Sequence, residues 1–597
     1  MTSADAPAIN RRPPARGWAV AGCALQSLLI AWRAAAVLGA KGVPWACALP
    51  AYLPLTQGLI VVLGPAALLV LAVWLSTRNR RVVQPSAAYR QLWIFALAPA
   101  LVLAFPDRAG FMGDYLFRQG SILSGRYPTS FPQSLPLDRL VQGVLLPVLG
   151  AHPTEGELPG ARWIGLIACI AFAALVARWS ARAGGSGTWG TAAWACVVLG
   201  GYLCVFTGYA RDVVESLPLI ALLLFALSQR VDGKARLSPA PELALAALLM
   251  LHRSALCLVP AYSVGSISHL RNASASARRH GRWVAAGVVL MATVVILAPR
   301  YLGLLLSFDL AKHASWASTA GALPPPLADP RSLWDIFNAL LMLAPISILA
   351  WLGPVTARSA AERAFLIAAS LGWLIPMLLV RPQQGAFRDY DVYAGAALTL
   401  AFVAVLGLER LSKRGQGVDK ALIALSFIST LQAGLGLLLV SSNAAATEAR
   451  VHHGLAIADM RLAGANAGMS DYLALNAERR GQWGDAARAY ADAAAFEPSP
   501  TRLALAGRAA AYTGDWRASS QRFADLIARD STSAIGWSGF AGAQRVLASG
   551  REDSLAEARL LEICSTRVSR QIAIAYLNFA PVLDSDGALR AKLAGVR

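Results

Sequence analysis

The chain has 597 residues, of which 56% are hydrophobic and 15% charged, and its formal net charge is +20. Ordinary globular domains are about 45–50% apolar and about 25% charged, so a soluble fold of this length would lack the polar surface to cover itself. The basic excess forms no patch interleaved with aromatics, which excludes nucleic acid as the expected partner.

The charge falls instead in short groups between apolar runs: Arg78, Arg80 and Arg81; Arg230, Lys234 and Arg236; Arg271, Arg278, Arg279 and Arg282; Arg410, Lys413 and Arg414. This is the positive-inside pattern of a multi-pass protein embedded in a lipid bilayer. The fold class expected is all-α: a polytopic transmembrane bundle followed by a soluble helical tail. Abundant arginine and alanine fit a GC-rich bacterium, hence its inner (cytoplasmic) membrane.

Near the N-terminus, Val20-Ala21-Gly22-Cys23 looks like a lipoprotein cleavage box. The apolar stretch before it is too short for a signal core and hydrophobicity continues beyond it, so an uncleaved first membrane helix is expected. Runs long enough to cross a hydrocarbon core, roughly 17–25 residues each, fall at 17–39, 56–76, 88–106, 161–178, 188–208, 212–229, 283–306, 331–353, 363–380, 391–408 and 420–441. The stretch 240–269 is interrupted at His252-Arg253 and reads as two short helices, 240–251 and 254–269. About 13 crossings then place the N-terminus and every basic group on the cytoplasmic side. Residues 107–160, 208–212, 307–330, 381–390 and everything after 442 fall on the periplasmic side.

The resulting domains are an N-terminal region with two helices over 1–87, a transmembrane core over 88–441 with its outer loop at 107–160, a Ser/Asn/Ala linker over 442–470, and a helical domain over 471–597. In that last part Gly481-Gln482-Trp483 recurs as Gly514-Asp515-Trp516, with Tyr490 aligned to Phe523 and Ala494 to Ile527. The recurrence resembles tetratricopeptide repeats, helix pairs with a period near 34. A degenerate third copy is expected over Ala534 to Ile563 with Gly550 in its turn. Domains of this kind bind partners more often than they catalyse, which points to a protein partner through this tail.

Six of the seven cysteines lie in or beside apolar runs and Cys564 stands alone, so neither a disulfide framework nor a metal spacing is expected. No Gly-rich Lys-Ser/Thr loop, HExxH, Cys-x-x-Cys or dinucleotide fingerprint is present, which disfavours nucleotide-driven pumping and zinc proteolysis.

Charged groups do gather at the outer ends of apolar runs. Gly113-Asp114-Tyr115 opens the longest outer loop, and Asp138 to Leu149 reads as a helix lying in the interface plane. Gly208-Tyr209-Ala210-Arg211-Asp212-Val213-Val214-Glu215 sets Glu215 just inside a helix, where a carboxylate is costly unless paired or wet. Arg388-Asp389-Tyr390-Asp391 begins another helix close to Arg381, and His252 sits at the short-helix junction. Snorkelling arginines, a Glu215–Arg211 pair or a core histidine would each explain one of these features. All four together point to a site.

The segment 88–440 resembles the GT-C superfamily of polytopic glycosyltransferases: a helix ending in an outer loop with an acidic residue, Asp114, then an interfacial helix, then alternating crossings with a short helix pair. It departs from many members in having a single Asp114 where they show a pair, and in two extra helices before the core. The resemblance implies transfer of a sugar from a polyprenyl-phosphate donor to a glycan, lipid or protein acceptor. Asp114 would be the general base. Arg388, Arg211, Arg381 and His252 would hold the donor phosphate, and Glu215, Asp212, Asp389, Asp391 and Tyr115 would orient those groups or the sugar. A divalent cation such as magnesium or manganese, if one is used, falls to Asp114 with another outer carboxylate.

A transporter or flippase for a lipid-linked or amphiphilic substrate would instead show an inverted repeat and charges at the midplane. A membrane scaffold presenting the repeat domain would need only one anchoring helix. Alkaline phosphatase joined after residue 450 should be active and joined after residue 234 inactive in a membrane-topology reporter assay; the opposite pattern inverts the orientation.

Overall fold

A computed structural model describes residues 16–78, 89–150, 159–182, 188–232, 238–272, 281–304, 326–379, 382, 386–414, 417–456, 463–547 and 551–595. The described residues are helical, with no strand among them. They divide into two compact units, Met1–Pro382 with Asp389–Arg450, and Gln383–Arg388 with Val451–Arg597.

Among the described residues of the first unit seven helices are long and apolar enough to cross a membrane: Gly17–Val37, Pro159–Arg182, Val213–Val231, Ala286–Leu304, Ala360–Leu379, Tyr390–Arg414 and Gly417–Ser442. Their burial is graded. The window in Tyr390–Arg414 is 94% buried and that in Ala286–Leu304 only 17%, so the former is the bundle's centre and the latter lies at its periphery. Leu55–Leu71, Ile94–Ala104 and Ala240–Leu251 are shorter apolar helices.

Two of the expected crossings are broken. The run at 331–353 consists of Pro330–Leu343 and Pro345–Val355, bent by 109°. Pro345 has no N–H to continue the ladder and disfavours helical backbone at Ala344 before it, whose ψ is 89°. The run at 188–208 stops at Val198 and resumes as a tight 3-10 turn over Gly201–Phe206. The two breaks are packed together: a side chain at Gly200 would meet the carbonyl of Leu343, and one at Gly201 the carbonyl of Met342. Non-helical backbone is tolerated in a membrane bundle when protein covers it in this way.

The break expected at His252-Arg253 separates Ala240–Leu251 from the 3-10 turn Arg253–Leu258 and the helix Val259–Asn272. The loop after Tyr89–Ala104 carries short helices over Tyr115–Leu123, Tyr127–Ser130 and Pro136–Leu140, the last running through one π turn into Leu146–Gly150. Leu140, Val144, Leu145, Val148 and Leu149 are exposed along it.

In the second unit the helices Ala463–Arg479, Trp483–Phe496, Pro500–Tyr512, Trp516–Arg529, Ala534–Leu547 and Arg551–Ile563 each pack on the next. Gly481 and Gly514 adopt φ of 71° and 78°, so each ends a helix with left-handed backbone that favours glycine. Their amides close the same bonds, Gly481 to Glu478 and Gly514 to Ala511. Trp483 then stacks on Tyr512, 3.9 Å between centroids. Much of the stretch expected as a linker, 442–470, is helical: Ala444–Ala456 and the start of Ala463–Arg479. Its alanines favour helix once Asn443 caps the turn through the amide of Ala446. Gly550 lies outside the described residues.

Glycines set the closest helix approaches. A Cβ at Gly372 would run into the carbonyl oxygen of Cys257, which is backbone and has no room to retreat. Gly372→Ala should therefore destabilise the bundle by ~1–3 kcal/mol, read as a lower thermal midpoint of the purified protein, whereas Ala at Gly287, where nothing lies within 4 Å, should leave it unchanged.

Candidate functional site

The loop that follows Tyr89–Ala104 is fastened before it reaches Asp114. Burial of the Asp107 carboxyl is made tolerable by the amides of Ala109 and Gly110, which donate to Oδ1 at 2.9 and 2.8 Å and form an Asx-type turn. The amides of Arg108 and Ala109 donate to the carbonyl of Ser441, both at 3.1 Å, and that of Asp107 to Thr207 at 3.3 Å. The loop thus leaves the helix Tyr89–Ala104 stapled to the end of Gly417–Ser442.

The backbone next passes under a buried carboxylate. Gly113 has φ of 49°, and a Cβ there would lie 2.6 Å from the Tyr209 hydroxyl and 2.9 Å from Oδ1 of Asp391. Asp391 Oδ2 accepts from the Tyr209 hydroxyl at 3.0 Å and from Arg211 Nη1, while Oδ1 has no hydrogen-bond partner. Arg211 also reaches the Tyr209 oxygen at 3.3 Å and sets its Nε 3.6 Å from Asp212. Burial works against the Arg211 charge, but Asp391, Tyr209, Asp212 and Asp114 around it outweigh burial and hold its pKa well above the usual value.

Asp114 itself stands at the start of Tyr115–Leu123, and its side chain is not used as the helix cap. Tyr115 stacks on Tyr209, 5.6 Å apart and 4° from parallel. Asp114, Tyr115, Arg211, Asp212 and Asp391 therefore come together around Tyr209.

A second network adjoins it. The Tyr127 hydroxyl donates to Asp138 Oδ2 at 2.9 Å and accepts from Arg118 Nη1 at 2.9 Å. Arg118 lies 4.5 Å above the Phe131 ring, a cation–π contact. Burial pushes the Asp138 pKa up, Arg118 opposes the shift and Asp212 adds to it. Asp212 goes the other way: although it is buried, His252, Arg211 and Arg118 hold its pKa low. His252 has Nδ1 4.0 Å from Asp212 Oδ2 and accepts there from the Ser254 amide at 3.1 Å; burial lowers its pKa against the pull of Asp212. Glu215 does not pair with Arg211, whose Nη1 is held by Asp391. Its Oε1 accepts from Gln142 at 3.4 Å and its Oε2 has no hydrogen-bond partner.

Of the other residues singled out in the sequence, Asp389 is buried beside this group at the start of the 3-10 turn Tyr390–Tyr393. Arg388 belongs to the second unit, where it donates to the carbonyl of Gly468. Arg381 lies outside the described residues.

Several contributors were not singled out in advance: Asp107, Arg118, Tyr127, Asp138, Gln142 and Arg450. Asp107 directly follows an apolar run, and Arg118 lies four residues past Asp114, so both left a trace in the pattern. Arg450 left none. It is buried among Phe111, Tyr390 and Trp45, 5.3, 5.3 and 5.9 Å from their centroids, with Nη2 3.5 Å from the Met342 sulfur.

Among the described residues no group of three His, Cys, Asp or Glu side chains is arranged to hold a metal ion. No family model, curated protein or solved structure matches the chain.

Burial raises the Asp107 carboxyl to about 6, with the Gly110 and Ala109 amides and Arg162 limiting the rise. A carboxyl near 4 in the unfolded chain and 6 in the folded one makes folding take up a proton. Its stabilising contribution is full below pH ~4 and is lost as pH rises through 6, about 3 kcal/mol in all. Asp107→Asn keeps the Oδ1 acceptor and should flatten the thermal midpoint between pH 4 and 7.

Proposed function

We propose that the chain is a membrane glycosyltransferase of GT-C type, moving a sugar from a polyprenyl-phosphate donor to an acceptor on the periplasmic face. The observation that carries the reading is the meeting of Asp114 with Arg211 and Asp391 where the outer loop crosses the starts of two apolar helices. A carboxylate half-buried at such a boundary is placed to take a proton from an acceptor hydroxyl. A guanidinium beside it is placed to stabilise charge on the departing phosphate.

The roles are then as follows. Asp114 is the base. Asp391 and Tyr209 hold Arg211 in one orientation, and Asp212 with His252 supports it from the other side. The Oδ1 of Asp391 and the Oε2 of Glu215 are buried acceptors behind Arg211 with no hydrogen-bond partner. Arg211 is already ion-paired, so it contributes to phosphate recognition through its remaining N–H groups.

The finer architecture belongs to the same reading: about 13 crossings, an inner-membrane location with cytoplasmic N-terminus, and a tetratricopeptide-like tail binding a protein partner on the periplasmic side. The matched turns at Gly481 and Gly514, 33 residues apart in the sequence, support the last of these.

The test is turnover. Purified protein and Asp114→Asn are given radiolabelled polyprenyl-phosphate sugars with a membrane extract as acceptor source. Transfer by the native protein should fall at least ~100-fold in the variant. Equal rates would move the base elsewhere, and no transfer from any donor would favour a transporter or scaffold.

A further inference from the structure

Two chain segments cross at the candidate site, and they are joined twice. The first junction is the approach of Gly113 to Asp391, where a Cβ on the glycine would lie 2.9 Å from Oδ1. The second is Arg450. Its guanidinium lies 5.3 Å from the ring centroid of Phe111, which comes shortly before Gly113, and 5.3 Å from that of Tyr390, which directly precedes Asp391.

The back of this cage is fixed independently. Trp45, 5.9 Å from the guanidinium, donates from Nε1 to Asp335 Oδ1 at 3.0 Å. Met342, whose sulfur accepts from Arg450 Nη2 at 3.5 Å, lies on the same helix as Asp335, Pro330–Leu343. Arg450 belongs to Ala444–Ala456, a helix tied back by Thr447 Oγ1, which donates to the carbonyl of Val440 at 2.7 Å. A guanidinium is flat and favours ring faces, so a cation held from behind orients the two rings in front of it.

The loop shows why a clamp is needed there. Its staple onto Ser441 ends at the amide of Ala109, and the chain then crosses Gly110 and Gly113, with φ of 63° and 49°. Glycine gives up more backbone freedom on folding than any other residue, so the stretch between the staple and Asp114 is weakly determined by its own backbone. Phe111 and Tyr390 are 3% and 1% exposed, and their packing on Arg450 fixes what the glycines leave free. An apolar side chain of the same volume would fill the space at a lower desolvation cost. What the cation adds is direction.

We propose that Arg450 is a positioning residue that holds the Phe111–Asp114 segment against the Tyr390–Asp391 turn, and so keeps Asp114 together with the Arg211 that Asp391 orients. Its consequence for turnover rests on the transferase reading; the clamp itself does not.

Hydrogen–deuterium exchange of the full-length protein in detergent reads the clamp without turnover. Arg450→Met, which removes the charge and keeps an unbranched chain, should speed exchange over 110–114 and 390–393 together by at least ~10-fold. Arg450→Lys, which keeps a cation on the rings, should stay within ~3-fold of the native protein. Faster exchange confined to 444–456 would make Arg450 an anchor for its own helix and overturn the proposal, as would unchanged exchange throughout. If Arg450→Met does not fold, Phe111→Leu removes one ring of the cage and should release 110–114 while 390–393 stays protected; protection of both overturns the proposal.

The transfer assay then separates positioning from general stability. Arg450→Met should lower kcat at least ~10-fold in the native background but less than ~3-fold in Asp114→Asn, because a carboxylate already removed cannot be misplaced. Equal losses in the two backgrounds would mean a general structural role and overturn the proposal. Absence of transfer by the native protein would count against the transferase reading alone, with exchange deciding the clamp.

Discussion

Scarcity of partners governs this molecule. Within an apolar bundle every peptide group and every charge must be satisfied by the protein itself. Helices do this for the backbone, and the two broken segments do it by packing their breaks together. Charges do it in fixed pairs: Arg230 grips Glu242 with bonds of 2.7 and 2.8 Å, and Arg410 pairs with Glu362 through Nη2 while its Nη1 donates to Thr356. Arg33, buried in the first helix, is held by the carbonyl of Ser429 at 2.8 Å and by Gln432. The candidate site is built where several helix ends meet.

The site consists of two short chains of polar and charged groups. One runs Asp391, Arg211, Asp212, His252, and the other Arg118, Tyr127, Asp138. Asp212 lies in the field of both arginines, and this explains why two buried carboxyls, Asp138 and Asp212, are pushed in opposite directions. A low dielectric makes each such placement expensive to alter, so the geometry around Tyr209 is set by the ensemble and no single contact carries it.

Much of the helical architecture was legible because hydrophobic run length translates directly into helices. The break at His252-Arg253 was legible because two adjacent polar residues do not sit inside an apolar helix without consequence. The breaks at Gly200 and Ala344 were not, because their cause is tertiary: two chain segments relieve each other, and neither shows the need for the other. The same holds for the site. Arg211 and Asp391 were visible as charges at the starts of apolar runs, but their mutual pairing was not. Arg450 was invisible because a cation enclosed by aromatic rings from three distant segments leaves no local pattern.

The staple of the Asp107 loop onto Ser441 has a mechanical meaning. The last carbonyls of a helix have no partner within it, and here the amides of Arg108 and Ala109 take one of them. The final turn of Gly417–Ser442 and the root of the loop thus share their hydrogen bonds and must fray together. Slow opening of this region would then appear as a single cooperative event, in which the loop that carries Asp114 and the turn that leads into Ala444–Ala456 lose order at one rate rather than two.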